Sequence, residues 1–146
     1  MKKIYNRSGH KQYNTPLLVK IGVRQGQHIL LVKAPDFVLL QFQNGNFPVD
    51  LKITGQKKYD MIWSFTNKLN LLEEQVPQLK SRLYNSGMIW ISWYKKSSKQ
   101  PTELTEDIIR ACALDHGLVD IKVAAVDEAW SALKLVIPLN KRNGLE

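Results

Sequence analysis

The chain of 146 residues has one cysteine, Cys112, and three histidines, His10, His28 and His116, that stand apart from it and from one another. A single thiol forms no internal disulfide, which fits a reducing compartment, and isolated histidines lack the ligand spacing of a zinc site, so no metal is expected. No apolar run approaches the roughly 18 residues that span a bilayer. The basic start Met1-Lys2-Lys3-Ile4-Tyr5-Asn6-Arg7 is not followed by the apolar stretch of a signal peptide. The expectation is a cytoplasmic protein with no membrane partner. There is also no phosphate-cradling glycine loop and no strand-turn-helix nucleophile elbow, which removes the commonest nucleotide-hydrolysing and serine-hydrolase patterns.

Acid is missing from the first quarter of the chain. Residues 1–35 hold seven Lys or Arg and no Asp or Glu, whereas residues 36–146 hold fourteen against thirteen, so +7 of the net +8 lies in the first segment. No aromatic RNA-binding sheet, helix-turn-helix or zinc-finger spacing accompanies these bases. Nucleic acid is therefore disfavoured as a partner, with the basic arm as the one route to it. The length and a 44% hydrophobic content suit one core. The expected division is a basic arm over 1–14, a single domain over 15–138, and a tail over 139–146 whose Leu145-Glu146 is read as a cloning remnant.

What is present alternates between strand and helix. Thr15-Pro16 predicts a short helix over 16–21, capped by the threonine and ended by Gly22. His28–Lys33 reads as a strand buried on both faces, Phe37–Phe42 as a short helix, Asp50–Thr54 as a weaker strand and Tyr59–Phe65 as another buried one. Leu69, Leu72, Val76, Leu79 and Leu83 recur three and four apart, which predicts a helix over 67–84 in which Pro77 makes a kink or a restart and no domain boundary. Gly87–Trp93 is an apolar strand that runs into the cationic loop Tyr94-Lys95-Lys96. Leu104–Asp115 reads as a helix capped by Thr102 or Thr105, with Glu103, Glu106 and Asp107 at its positive end and Gly117 past its other end. Asp120–Val126 and Trp130–Ile137 flank a short polar gap and read as a hairpin. This order predicts an α/β domain, a mainly parallel sheet closed by a C-terminal antiparallel hairpin.

A helix, then Leu83-Tyr84-Asn85-Ser86-Gly87, then a strand and a terminal hairpin resembles the second half of a Rossmann-like methyltransferase, a three-layer sandwich. Ala34-Pro35-Asp36-Phe37, Trp93-Tyr94-Lys95-Lys96, Leu104-Thr105-Glu106-Asp107, Gly117-Leu118-Val119-Asp120 and Val126-Asp127-Glu128-Ala129-Trp130-Ser131 are together similar to an uncharacterised bacterial domain-of-unknown-function family of small proteins. That likeness spans about residues 15 to 138. It implies the fold and carries no established activity with it.

Open α/β sheets bind ligands at the carboxyl ends of their strands. In this chain that edge would gather Ala34-Pro35-Asp36, Phe65-Thr66-Asn67, Tyr94-Lys95-Lys96 and the hairpin tip. Lys95 and Lys96 suit an anion, Asp36, Asp127 and Glu128 suit hydrogen-bond donors, and Trp93 and Trp130 suit a ring. Methyltransferases of this fold carry a glycine-rich turn after the first strand and an acid after the second. Here the turn Val32-Lys33-Ala34-Pro35-Asp36 has no glycine, and no acid has a clear match. The sequence therefore favours a non-enzymatic binding or regulatory domain that recognises an anionic small molecule or a protein partner, and it disfavours S-adenosylmethionine as a cofactor. The alternative is an atypical S-adenosylmethionine-dependent methyltransferase-like enzyme. Cys112 shares a helical face with Ile108 and is read as a core thiol.

Overall fold

A computed structural model describes residues 16–142. Leu17–Ile21 forms a short helix, α1. It stops because Gly22 takes the left-handed φ of 93° and turns its N–H back to Leu18 O and Val19 O. The Thr15 cap lies outside the described residues. Ile29–Val32 is strand β1, and Asp36–Asn44 is helix α2, entered through Pro35. Tyr59–Phe65 (β2), Leu69–Lys80 (α3) and Leu83–Tyr94 (β3) follow. Pro77 sits inside α3, which runs through it as one helix, so no restart occurs there. The helix ends at Lys80, however, so Leu83 opens β3 and does not extend the helical stripe.

A 3-10 turn over Lys96–Ser98 leads to helix α4, Glu106–Asp115. Its cap is Thr105, which accepts a hydrogen bond from Ile108 N. Val119–Ala125 (β4) and Trp130–Val136 (β5) form the hairpin. The strands lie in the order β1-β2-β3-β5-β4. β1, β2 and β3 are mutually parallel, and β5 pairs antiparallel with both β3 and β4.

Alternation along the strands divides the core in two. On one face, here the front, Ile29, Leu31, Met61, Trp63, Phe65 and Trp90 pack with Ile21 of α1 and Val38 and Phe42 of α2. On the back, Leu30, Ile62, Ile89, Ile91 and Trp93 pack with Leu72, Val76 and Leu79 of α3 and Ile109, Cys112 and Ala113 of α4. The result is a three-layer sandwich. Two indoles fix the front layer: Trp63 Nε1 donates to Ser92 Oγ at 2.8 Å, and Trp90 Nε1 donates to Ile21 O at 2.8 Å.

The strand expected over Asp50–Thr54 is reduced to one residue. Asp50 makes a single parallel bridge to Leu30 on the outer edge of β1, giving its carbonyl to Leu31 N and its N–H to Ile29 O. Its carboxylate accepts the Tyr59 hydroxyl at 2.5 Å and pairs with Lys57 at 3.1 Å. Leu51, just past that bridge, is 61% exposed and adds nothing to the core. The connection after β1 thus runs through α2 on the front, and the connection after β2 runs through α3 on the back. Neighbouring strands that send their chains to opposite faces leave a crevice at their carboxyl ends.

Candidate functional site

Hydrogen bonds knit the carboxyl edge of the sheet together. Asn67, just past β2, accepts Tyr94 N on Oδ1 at 2.8 Å and Glu103 N on its backbone oxygen at 2.9 Å. Lys95 N donates to Ala129 O at 2.7 Å, which ties the end of β3 to the hairpin tip. Asp127 Oδ1 accepts Ala129 N and Trp130 N, so this carboxylate shapes the turn. Glu128 stands exposed beside it.

The register separates the two tryptophans. Trp93 pairs with Ser131 and Tyr94 with Trp130, so Trp93 points to the back and Trp130 to the front. They do not form one stacking site. On the front, Trp130 lies tilted on Tyr94, with centroids 4.3 Å apart, and edge-on to Phe65 at 5.2 Å; Phe65 in turn stacks on Trp63 at 4.9 Å. A row of rings therefore lines the front of the edge. The turn from β1 delivers Asp36 to the same edge, exposed in the first turn of α2. The helix's own bonds begin with Val38 N to Pro35 O, which leaves the Asp36 and Phe37 amides unused by it.

On the back, Trp93, Tyr94, Lys95, Lys96, Thr102, Glu103, Leu104, Thr105, Glu106 and Ser131 enclose a cleft of about 430 Å³. Three residues anticipated as ligand contacts, Trp93, Lys95 and Lys96, meet here; Asp36, Asp127, Glu128 and Trp130 are not among its lining residues. Sequence reasoning reads Thr102 or Thr105 as the helix cap and Glu103 and Glu106 as acids at the positive end of the helix, and Thr105 does cap α4. The signal it missed is that the capped end of α4 is also the wall of the cleft.

Burial pushes the Cys112 thiol up from its ordinary pKa, in keeping with a core thiol. His116 caps the C-terminal end of α4. Among the described residues no three His, Cys, Asp or Glu side chains gather as a metal-holding group, and no helix is long and apolar enough to cross a membrane.

No protein-family model and no curated protein matches the chain. Solved structures do. A S-adenosylmethionine-dependent methyltransferase from Aquifex aeolicus superposes with a TM-score of 0.58 at 13% identity, over 83% of this chain and 87% of that one. The CcbJ methyltransferase of Streptomyces caelestis gives 0.56 at 8%, over 83% and 87%. Magnesium protoporphyrin IX methyltransferase from Synechocystis, solved with S-adenosylmethionine bound, gives 0.56 at 15%, over 83% and 74%. The fold is that of the Rossmann-like methyltransferases.

Two expectations are corrected here: the preference for a non-enzymatic domain, and the disfavouring of S-adenosylmethionine. Both rested on the glycine missing after β1 and on the lack of a matching acid after the second strand. The three solved structures that superpose on this chain above are methyltransferases. The turn itself also carries the conformation in question, because Lys33 takes a left-handed φ of 59° where a glycine would be at ease.

Proposed function

We propose that the protein is an S-adenosylmethionine-dependent methyltransferase-like enzyme, working in the cytoplasm and belonging to the bacterial family of small proteins whose motifs it resembles. One observation carries the reading: the opposite departures of α2 and α3 from β1 and β2 open a crevice at the strand carboxyl ends, in an architecture shared with S-adenosylmethionine-dependent methyltransferases.

The groups at that crevice fit the cofactor. The unused amides of Asp36 and Phe37, at the positive end of α2, together with Lys33, suit the methionyl carboxylate. The Asp36 carboxylate suits the ammonium or the ribose hydroxyls. The faces of Tyr94 and Trp130 suit a sulfonium, which the negative face of an aromatic ring attracts. When bound, S-adenosylmethionine supplies a methyl group on that sulfonium. The protein's contribution is to hold the charged ends apart and to line the space between them with rings that exclude water.

Calorimetric titration with S-adenosylmethionine and S-adenosylhomocysteine tests this. The expected result is one site per chain, a raised Tm, and affinity reduced about tenfold or more by Trp130→Ala, since a ligand selective for the folded state stabilises it. Absence of both heat and thermal shift for the two compounds would overturn the reading.

A further inference from the structure

The acidic and basic residues of the cleft behind the end of β3 differ in how they are paired. Two carboxylates and two ammonium groups line it, yet the carboxylates are already engaged: Glu103 Oε1 accepts Leu69 N at the start of α3, and Glu106 is ion-paired with Arg110. Neither the Lys95 nor the Lys96 ammonium has a hydrogen-bond or ion-pair partner among the described residues. Two ammonium groups without a partner therefore stand at a cleft whose carboxylates already have theirs.

The remaining walls add to the same preference. Trp93 and Leu104, nearly fully buried, form an apolar floor, and the Thr102, Thr105 and Ser131 hydroxyls stand around it. The backbone beneath the lysines is held from several sides. Lys95 N donates to Ala129 O, Ser98 Oγ donates to Lys95 O at 2.6 Å, and Tyr94 N donates to Asn67. A volume of about 430 Å³ lies in the range of small-molecule sites. Trp93 is also the neighbour of Tyr94, whose ring joins the front row, so the cleft and the proposed cofactor edge meet at the same strand end.

Resting on the methyltransferase reading, we infer that this cleft takes the methyl acceptor, and that the acceptor is a small organic anion with an apolar body on Trp93 and Leu104 and its carboxylate or phosphate at Lys95 and Lys96. The floor selects the body and the two ammonium groups select the charge.

The test uses the full chain, labelled with nitrogen-15 and titrated with 2-naphthoate, 2-naphthyl phosphate and the neutral 2-naphthamide. Amide signals of Lys95, Lys96 and Glu106 and the Trp93 indole signal are followed. The expected result is that at least one anion moves these signals with an affinity tenfold or more above that of the amide. The double variants Lys95→Ala with Lys96→Ala, and Lys95→Gln with Lys96→Gln, remove that advantage while the rest of the spectrum is retained. Tighter binding of the phosphate assigns a phosphorylated acceptor, and tighter binding of the naphthoate a carboxylic acid. Equal affinity for the amide, undiminished binding in folded variants, or signals moving elsewhere would each overturn the proposal. S-adenosylmethionine binding is measured separately by calorimetry. Its failure would remove the methyltransferase reading and leave the anion result standing, whereas anion failure with intact cofactor binding would remove only the acceptor assignment.

Discussion

At the scale of single residues, Lys33 shows why residue type and backbone conformation need separate treatment. A left-handed φ of 59° places its Cβ against its own carbonyl, a cost of about 1 kcal/mol or more that glycine does not bear. The side chain is exposed, so little packing offsets that cost. Lys33→Gly is expected to stabilise the fold by about 0.5–1 kcal/mol, the relief of strain exceeding the added entropy of the unfolded chain. Lys33→Val is expected to destabilise it by about 1 kcal/mol, because a β-branched residue tolerates positive φ worst. Urea denaturation of the two variants and the parent checks the order; a parent more stable than the glycine variant would show that Lys33 makes a contact worth more than its strain.

At the scale of elements, β3 shows how much of the fold was legible before the structure. The apolar run from Gly87 was readable as a strand, but β3 begins at Leu83, because Asn85 and Ser86 break the alternation that sequence reading relies on. The same stretch leaves the ladder: Tyr59 pairs with Leu83 while Met61 already pairs with Met88. Gly87 sits in this irregular segment for lack of space. A Cβ there would lie 2.9 Å from Asp60 O and 2.7 Å from Leu83 Cδ1. Leucine can rotate away and a backbone carbonyl cannot. Gly87→Ala is therefore expected to cost about 1–3 kcal/mol, the range of overpacked cores, despite alanine's better strand propensity. Thermal and urea unfolding of this variant would measure it, and an unchanged midpoint would mean that β2 can yield at Asp60.

At the scale of the whole molecule, the hairpin, the buried strands and the cationic loop were legible because each is written in contiguous residues. The division of the site was not. Whether Trp93 and Trp130 share a face depends on the β3–β5 register, which no short window of sequence contains. The reduction of a strand to Asp50 was hidden for the same reason, since its decisive bonds go to Tyr59 and Lys57. These groups also shape global stability against pH. The Tyr59 hydrogen bond, followed by the Lys57 charge, holds the Asp50 carboxyl below its ordinary 3.8. That contribution is present above about pH 3.8 and is lost as pH falls through the lowered value.

Burial, with the Asp50 bond second, pushes Tyr59 from 10.0 up to about 12. The folded state keeps that proton longer than the unfolded state does, so this stability is complete below pH 10 and disappears between 10 and about 12. Lys134 has the opposite sign. Burial and the facing Lys122 lower its pKa from 10.5, so the folded state loses its proton first and stability rises as pH climbs toward that value. Urea midpoints recorded against pH are thus expected to pass through an alkaline maximum and then fall. Tyr59→Phe removes the fall between pH 10 and 12 and costs about 1.5 kcal/mol at neutrality, as loss of a hydrogen bond to a charged group does. Lys134→Met flattens the rise and leaves the fall. A Tyr59→Phe profile that still drops across that window would mean that the Tyr59–Asp50 bond is not what limits alkaline stability.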